Sequence, residues 1–495
     1  MKTLVWLKRD LRLADHPPLA EAAGGAMLAL FVAEPSVMEA EDFAPCHRRF
    51  VWQSLAGLRE ALAARGGRLA FARGEAVDVL DRLHAEWPFE RIVSHQETGN
   101  AATYARDRAV AAWCRKRGVE WREHRQHGVF RGLGDRDGWS ARWRRQMKQP
   151  TVATPTRFQS PSIALSVETE LPRAEPGVAW LPGGEAAGRE TLESFLRERG
   201  EEYATRMSSP VTAPEACSRL SPYLAWGNVS MRAVVQATEA RAEALRAARP
   251  GTTPWPRSLA AFGKRLRWHC HFIQKLEDQP SIEFENMQRA CDGLREDEFD
   301  EARFEAWKAG RTGYPMVDAC MRALREEKWI NFRMRAMLVS FASHHLWLDW
   351  RPTSRWLARQ FLDYEPGIHY TQFQMQSGVT GINALRIYSP AKQVLDHDPD
   401  GAFIHRWCPE LAPLTGAALA NPERLDLDAQ RRLGVRIGRD YPKPLVDHAT
   451  AVRHARHRIA AVRRTAEARE ESRAVYRRHG SRKRPPARRR QGAGR

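Results

Sequence analysis

The stretch that decides the fold runs from Phe304 to Pro390. It contains FEAWKAGRTGYPMVDACMRAL (304–324), KWINFRMRAMLVSFASHHLWLDWR (328–351), WLARQFLDYEPGIHYTQFQMQSGVTG (356–381) and RIYSP (386–390). Apolar residues recur there at helical spacing, but titratable side chains interrupt them: Arg333, Arg335, His344, His345, Asp363, Glu365 and His369. A charged group inside an apolar helix is costly unless it is paired or bound. The stretch therefore predicts that Arg335 and Asp363 pair with each other or line a polar cofactor. The alternative is a tryptophan-rich helical core with one structural ion pair.

The sequence around this stretch is helical from Thr191 onward. Amphipathic runs of helix length include Met231–Ala248, Ser258–Leu276 and Phe332–His344. Gly and Pro breaks separate these runs, and alternating strand patterns are missing. Residues 191–448 are therefore predicted to form an all-α domain. Residues 131–190 are poor in periodic pattern and rich in Pro, Gly, Ser and Thr, which predicts a long interdomain linker.

Residues 1–130 alternate short apolar segments with amphipathic ones. The predicted strands are Thr3–Leu7, Met27–Val32, Arg68–Ala72, Arg91–Ser94 and Val119–Arg122. Such alternation indicates a parallel sheet covered by helices on both faces, in a Rossmann-like α/β domain. No G-x-G-x-x-G follows the first strand, so the usual dinucleotide site is not supported.

The charge of the chain is strongly positive, at +19. Residues 449–495 hold 16 Lys and Arg against 3 Glu, so +13 of the excess lies in this tail. Excess cations attract polyanions, and nucleic acid is the commonest of these. The charge predicts contact with nucleic acid without locating it. The tail itself reads as a basic segment that is partly disordered.

Metal and membrane signals are weak in the sequence. The seven cysteines form no C-x-x-C and none stands at zinc spacing, so we expect no metal site. No apolar run reaches the roughly 18 residues that a membrane span needs. We therefore expect a cytoplasmic protein without a membrane partner.

Several motifs together resemble the DNA photolyase/cryptochrome family. They are TLVWLKRDLRLADHPPL (3–19), SRLSPYLAWG (218–227), the run from Trp307 to Leu324, DWR (349–351) and YPKPLVDH (441–448). They occur in the order of that family and cover residues 1–448. The resemblance implies an α/β antenna domain and a larger all-α domain that binds FAD. It also implies a monomer that acts on DNA.

The first set of candidate residues binds the cofactor. Small hydroxyls before a helix start suit a pyrophosphate, although an ordinary helix cap has the same residues. The resemblance assigns the FAD phosphates to Tyr203, Cys217, Ser218, Arg219, Leu220 and Ser221, with Cys217 replacing a hydroxyl. It places Arg335, Asp363 and Glu365 at the flavin ring. His369 stands where photolyases have Asn facing flavin N5, and we expect it to donate to N5 or to move a proton near neutral pH.

The second set carries electrons. In the family, three tryptophans connect the protein surface to the flavin. Trp307 and Trp350 match the outer and middle members, and Phe373 replaces the inner one. Because phenylalanine is much harder to oxidise than tryptophan, this route is predicted to be broken. Trp347 and Trp356 are candidate substitutes.

The third set faces the substrate. Trp268 matches a tryptophan that packs against the lesion, and Gln393 matches a DNA-contacting glutamine. Arg333 keeps the family residue, whereas Met375 replaces a second lesion-packing tryptophan. Arg265 stands where dimer-repairing enzymes carry Glu, and His269 replaces the usual Arg. A basic helix face over one buried tryptophan is the structural alternative for residues 264–272.

Two functions follow from the resemblance. The first is a light-driven DNA repair enzyme, a photolyase-like lyase, in which reduced FAD donates an electron to a flipped-out pyrimidine photoproduct. The second is a cryptochrome-like blue-light photoreceptor without repair activity, favoured by Arg265, His369, Phe373 and Met375. The family can also hold an antenna pigment, a folate or a deazaflavin, in residues 1–130. The candidate ligands there are Glu97 and Asn100, for which capping of a helix is the alternative.

Overall fold

The N-terminal domain is built on a five-stranded sheet. The computed structural model describes residues 1–173, 180–248 and 252–480. The strands are β1 (Lys2–Leu7), β2 (Ala26–Ala33), β3 (Leu69–Arg73), β4 (Arg91–His95) and β5 (Glu120–His124). All neighbouring strands are parallel, in the order β3-β2-β1-β4-β5. The prediction of a parallel α/β sheet is confirmed.

Alternate residues of each central strand enter two different hydrophobic cores. In β1, Val5 and Leu7 face one core, whereas Leu4 and Trp6 face the other. This is the arrangement expected when helices cover both faces of a parallel sheet. The helices of this domain are α1 (Pro17–Ala22), α2 (Pro35–Met38), α3 (Pro45–Ala63), α4 (Ala76–Glu86) and α5 (Ala101–Arg117). Helix α6 (Trp139–Lys148) follows them and is hydrogen-bonded to the larger domain, through Trp139 and Gln274.

The larger domain is helical, as predicted. Its helices are α7 (Glu185–Ser194), α8 (Tyr203–Arg206), α9 (Ala213–Ala216), α10 (Ser221–Ala225), α11 (Met231–Ala248), α12 (Trp255–Asp278), α13 (Glu301–Ala309), α14 (Pro315–Glu327), α15 (Phe332–Ser340), α16 (Trp350–Ala358), α17 (Pro366–Ser377), α18 (Pro390–His397), α19 (Ala402–Trp407), α20 (Gly416–Ala420) and α21 (Leu427–Leu433). Helices α7 and α15 continue into π-helical turns at Phe195–Arg199 and Phe341–His345.

Helices α12 and α17 lie in close contact at Gly367. A Cβ atom on Gly367 would stand 2.6 Å from the Cα atom of Ile273, so no larger residue fits without moving a helix. This contact brings the basic helix α12 against the helix that carries His369 and Phe373. The candidate site is therefore formed by elements that are distant in sequence.

The run from Trp307 to Leu324 is held together by Asp318. Its carboxylate accepts hydrogen bonds from the backbone N–H groups of Thr312 and Gly313 and from the hydroxyl of Tyr441, 2.5 Å away. Gly313 has φ +79°, and a Cβ atom there would stand 2.4 Å from the backbone nitrogen of Pro444. The run from Trp307 to Leu324 and the YPKPLVDH motif therefore have a structural role, because these contacts join α14 to the YPKPLVDH segment.

Part of the basic tail is helical. Residues 448–479 form α22 (His448–Arg463) and α23 (Ala466–His479), and their apolar residues Ala455, Ile459 and Ala468 are buried. Arginines dominate the sequence of the tail, but small and aliphatic residues at helical spacing give each helix one apolar face. The arginine clusters at 482–484 and 488–490 lie outside the described residues. No described helix is long and apolar enough to cross a membrane.

Candidate active site

Arg335 and Asp363 form a two-point ion pair. Nη1 and Nη2 of Arg335, on α15, each donate to one oxygen of Asp363 at 2.9 Å. The guanidinium also lies 4.2 Å from the ring centre of Phe361. Burial opposes ionisation of Asp363, but Arg335 and a hydrogen bond from Ser221 outweigh it, and the pKa of Asp363 is lowered. The predicted contact is present, and Ser221 links it to the candidate phosphate segment.

The segment Cys217–Ser221 runs between α9 and α10. Arg219 has φ +58°, and its guanidinium lies 4.0 Å from the ring centre of Trp329. Helix α10 has only five residues, so any anion held here would depend on the loop and its arginines rather than on a helix dipole. Burial raises the pKa of Cys217 to about 11, while arginines nearby act in the opposite direction: Arg219, Arg265, Arg199 and Arg335. Four cations around one half-buried thiol suit a diphosphate.

Tyr203 lies at the start of α8, opposite this segment. Its hydroxyl is hydrogen-bonded to Arg265, and burial raises its pKa to about 12. The ring packs against Phe195 and Phe262. Tyr203 is thereby fixed beside both the candidate phosphate segment and the candidate lesion helix.

His369 is held as a neutral imidazole. Its Nε2 donates to the backbone carbonyl of Ser354 at 2.8 Å, so Nδ1 remains as a hydrogen-bond acceptor. Burial lowers the pKa of His369 to about 4, with the Ser354 bond acting in the opposite direction. The expectation that His369 donates to N5 or moves a proton near neutral pH stays a prediction, and this hydrogen bond does not favour it. A buried imidazole of this kind presents an acceptor at neutral pH.

The electron-transfer positions are all buried. Trp307 has no exposed surface, although it matches the outer member of the family's chain. The half-buried Trp356 lies on it, with ring centres 5.7 Å apart, and would be the outward end of such a route. Nε1 of Trp350 donates to Asn286 at 2.8 Å. Phe373 packs on His369 with ring centres 4.6 Å apart.

Trp347 is a poor substitute for the missing inner tryptophan. Its ring lies between the guanidinium groups of Arg295, at 4.4 Å, and Arg458, at 5.2 Å. Two adjacent positive charges oppose the loss of an electron from the indole. Of the two substitutes expected from the sequence, Trp356 contacts the outer position, and Trp347 is held between cations.

Four of the six substrate candidates lie on α12 and α15, whereas Met375 lies on α17 and Gln393 on α18. Trp268 and Phe332 are each 44% exposed, and the guanidinium of Arg265 lies 4.8 Å from the first ring and 5.2 Å from the second. Two open aromatic rings with a cation between them form a surface on which nucleic-acid bases can stack. Phe332 was not among the expected substrate residues. Because Phe332 is exposed and adjacent to Arg333, it belongs with the substrate candidates.

The other substrate candidates are less open. His269 lies against His127 with ring centres 5.7 Å apart, and burial lowers its pKa to about 4. It is therefore neutral and does not replace the charge of an arginine. Met375 is half-buried and Gln393 is buried.

Unpaired polar atoms mark where a ligand fits. Several buried side-chain atoms have no hydrogen-bond partner among the described residues. Those of the candidate set are Arg219 Nε, His269 Nδ1, Arg333 Nε, Glu365 Oε1 and Gln393 Oε1, and both amide atoms of Gln372 are unpaired as well. Buried polar groups are normally paired, so a bound group with its own donors and acceptors would complete them. Together with the cations around Cys217, this fits a flavin dinucleotide.

Arg9 is a site residue that the sequence analysis missed. It comes from the RDLR motif after β1, and its guanidinium lies 4.5 Å from the ring centre of Trp226. Nη2 donates to the carbonyl of Tyr364 at 2.6 Å and lies 3.8 Å from Oε2 of Glu365. Burial raises the pKa of Glu365 to about 7, with Arg9 acting against it.

A separate cavity opens at the carboxyl ends of β1, β2 and β4, at the point where the strand order reverses. Ligands commonly bind at such a point in parallel sheets. Arg106 pairs there with Glu34 at 2.9 Å and with Glu97 at 2.5 Å. The side chain of Asn100 accepts a hydrogen bond from the backbone N–H of Thr103 and so caps α5, which is the structural role considered for it. Asn100 also lines the cavity.

Asp10, His16 and His95 meet beneath this sheet edge. Oδ2 of Asp10 lies 3.1 Å from Nε2 of His16 and 2.7 Å from Nδ1 of His95. No metal site is expected from the sequence, whereas this group has donor atoms close enough for one. The hydrogen bonds already account for its geometry. It was missed because His95 is 85 residues from Asp10.

Comparison with known proteins identifies the family. Residues 3–157 match the family model described as DNA photolyase, and residues 262–461 match the FAD binding domain of DNA photolyase. The chain is 31% identical to a deoxyribodipyrimidine photo-lyase of Streptomyces griseus, over 90% of this chain and 97% of that one. It is 29% identical to a cryptochrome DASH of Natronomonas pharaonis, over 90% of this chain and 98% of that one.

A solved structure gives the same picture. A bacterial class III photolyase from Agrobacterium tumefaciens superposes with a TM-score of 0.79 at 27% identity, covering 94% of this chain and 98% of that one. Fold, motifs and sequence similarity agree along nearly the whole chain. This protein belongs to the photolyase/cryptochrome family of flavoproteins.

Proposed function

We propose that this protein is a light-driven DNA repair enzyme that acts on pyrimidine photoproducts. The observation that carries the proposal is the surface made by Trp268, Arg265 and Phe332, because its open rings suit an extruded base. Bound reduced FAD supplies the electron when it is excited by blue light. The same cofactor positions are expected in a photoreceptor, so this surface is the feature that favours repair.

The residues of this chain position the two reactants. Arg335 and Asp363 orient the flavin edge, since a two-point pair fixes direction as well as charge. Arg219 and Arg265 neutralise the diphosphate. Nδ1 of His369 accepts a hydrogen bond from the flavin, and Phe373 excludes water behind it. Trp268 and Phe332 hold the lesion by stacking, and Arg333 and Gln393 contact the strand.

We further propose that the cavity at the sheet edge holds an antenna pigment. Oε2 of Glu34 is buried there without a partner in the described part of the chain, which suits the N–H group of a folate or a deazaflavin. Trp6, with Arg106 4.9 Å from its ring centre, forms part of the wall. Absorption spectra of the purified protein after FAD extraction would identify such a pigment.

A second function, a blue-light photoreceptor without repair activity, is favoured by Arg265. Dimer-repairing relatives are expected to have Glu there, and the reversed charge removes a hydrogen-bond acceptor for the pyrimidine. Arg265 is instead engaged with Tyr203, Trp268 and Phe332.

Photorepair separates the two functions. The FAD-loaded protein, chemically reduced, is illuminated with blue light in the presence of oligonucleotides that carry a cyclobutane dimer or a (6-4) product, with dark controls. We expect light-dependent restoration of one lesion. Trp268→Ala should abolish it, whereas Phe284→Ala, which removes another exposed aromatic ring, should not. Reduced, FAD-loaded protein that restores neither lesion would favour the photoreceptor.

A further inference from the structure

Two buried tyrosines and a carboxylate lie beside His369. The hydroxyl of Tyr364 donates to Oδ2 of Asp42 at 2.5 Å and lies 3.2 Å from the hydroxyl of Tyr370. All three side chains are buried. Asp42 comes from the N-terminal domain and the tyrosines from the helical domain, so this cluster forms only when the domains meet.

The cluster contacts the residues expected at the flavin. The ring of His369 lies 5.2 Å from that of Tyr364, 5.5 Å from that of Tyr370 and 4.6 Å from that of Phe373. Tyr364 also directly follows Asp363, which pairs with Arg335. Tyr364, Tyr370 and Phe373 therefore all pack against the ring of His369.

The geometry suits oxidation of a tyrosine. A phenol that loses an electron must also lose its proton, and a carboxylate at 2.5 Å provides an immediate acceptor. Burial, together with Asp42 and Tyr370, keeps the pKa of Tyr364 well above its ordinary value, so the phenol carries its proton before the reaction. A protonated phenol next to a carboxylate is the starting state that such a reaction needs.

The tryptophans are less suitable than the tyrosines as electron donors next to His369. Phe373 has no oxidisable ring, Trp347 lies between two arginines, and Trp307 and Trp356 contact each other. No ring contact joins any of these three tryptophans to His369 in the ranges that the structure describes. The tyrosines are the oxidisable side chains in contact with it.

We propose that Tyr364, with Asp42 as its proton acceptor, is the electron donor that photoreduces the oxidised flavin. The inference rests on the proposed FAD site. The excited oxidised flavin accepts one electron from Tyr364, and the phenol proton moves to Asp42. The products are a neutral tyrosyl radical, a protonated Asp42 and a flavin reduced by one electron. Tyr370 shares the radical by transferring a hydrogen atom to Tyr364.

The cavity at the sheet edge allows the donor to be restored. Tyr364 and Asp42 both line it, so in protein whose cavity holds no pigment a small thiol can enter and reach the phenoxyl oxygen. The thiol supplies one hydrogen atom, which regenerates Tyr364 and leaves a thiyl radical, while Asp42 returns its proton to solvent.

Electron paramagnetic resonance tests this assignment. The full-length protein with oxidised FAD is illuminated at low temperature without a reductant, and the protein radical is compared before and after labelling with ring-deuterated tyrosine. We expect a signal that narrows on tyrosine labelling and is unchanged by tryptophan labelling. Tyr364→Phe should lose most of the signal, and Asp42→Asn should lower its yield. A signal that narrows only with labelled tryptophan would overturn the proposal.

Tyr441→Phe is the matched control. The hydroxyl of Tyr441 also donates to a buried aspartate, Asp318, at 2.5 Å. No ring contact links Tyr441 to His369 within the described ranges, so this variant should keep the signal. Equal losses in Tyr364→Phe and Tyr441→Phe would overturn the assignment. If Tyr364→Phe does not fold, the labelling of the unaltered protein still decides.

The proposed function can fail separately. Failure of the protein to bind FAD, measured by absorption, would overturn both proposals. Repair by chemically reduced protein tests the function without this donor, because reduction then needs no tyrosine. Repair accompanied by a tryptophan radical would leave the function standing and remove the role of Tyr364.

Discussion

Arg9 of the N-terminal domain holds its guanidinium 3.8 Å from the carboxylate of Glu365, at the start of α17 in the helical domain. Oε1 of Glu365 has no hydrogen-bond partner among the residues described, so the charge is only partly compensated. Burial therefore dominates and raises the pKa of Glu365 to about 7. A carboxyl group in this state makes the stability of the cofactor-free protein depend on pH.

Glu365→Gln should stabilise the cofactor-free protein at high pH. The unfolded carboxyl loses its proton near its ordinary pKa, whereas the folded one keeps it until about pH 7, so stability falls as pH rises between these values. Above this window the penalty is complete, at roughly 3 kcal/mol. Urea unfolding at about pH 8 should show this gain, and at about pH 5 a much smaller one. Gln in place of the exposed Glu39 is the control, and an equal gain at both pH values would contradict the assignment.

Arg335→Lys should weaken FAD binding although it keeps the charge. Lysine cannot form the two parallel hydrogen bonds that Arg335 makes to Asp363. We expect the Kd for FAD to rise about tenfold or more. Fluorescence titration with FAD measures it, and Arg322→Lys, at the ion pair with Glu410, is the control. Unchanged affinity in Arg335→Lys would place the flavin elsewhere.

Arg265→Glu should change the preference for damaged DNA. The variant restores an acidic group beside Trp268, where dimer-repairing relatives are expected to have one. Lys264→Glu makes the same charge change at an exposed position of the same helix. Both variants should weaken binding to undamaged DNA. They should also reduce the slope of the logarithm of the binding constant against the logarithm of salt concentration, by the equivalent of about one to two phosphate contacts. Only Arg265→Glu should alter the ratio of affinities for lesion-containing and undamaged oligonucleotides, as measured by fluorescence anisotropy.

Phe373→Trp should accelerate photoreduction of the flavin. The new indole would contact His369, where Phe373 now packs at 4.6 Å between ring centres. The larger ring should cost about 1–3 kcal/mol of stability in this buried position. Phe304→Trp adds an indole next to Trp307 instead, and should leave the rate unchanged. Absorption changes under blue light measure the rate, and equal rates in both variants would show that contact with His369 is not what matters.

Ile459→Ala should destabilise the protein, since Ile459 lies on the buried face of α22. Truncation of a buried isoleucine typically costs about 2–4 kcal/mol through lost transfer energy and the cavity that remains. Ala in place of the exposed Arg456 on the same helix should change the unfolding free energy little. Equal effects of the two substitutions in urea unfolding would mean that α22 does not pack on the domain in solution.

The architecture followed from local pattern. Strands β1 to β5 lie within two residues of their predicted ranges, and Met231–Ala248 forms a helix with those bounds. The period of apolar residues is a property of neighbours along the chain, so it can be read without knowing the fold. The two helices of the tail were not predicted, because its many arginines obscured one narrow apolar face on each of α22 and α23.

The amino-acid sequence by itself determined the two-domain fold, the family motifs and the pair of Arg335 and Asp363, which lie 28 residues apart in one stretch. Only the tertiary structure decided which groups meet across the domains. Asp42 and Tyr364 are 322 residues apart, and Arg9 and Glu365 come from different domains. It also decided the direction of the pKa shifts of His369 and Glu365, because a pKa depends on burial and on neighbours in space. Local pattern fixes helices and strands, whereas these contacts and charges exist only after the two domains have packed together.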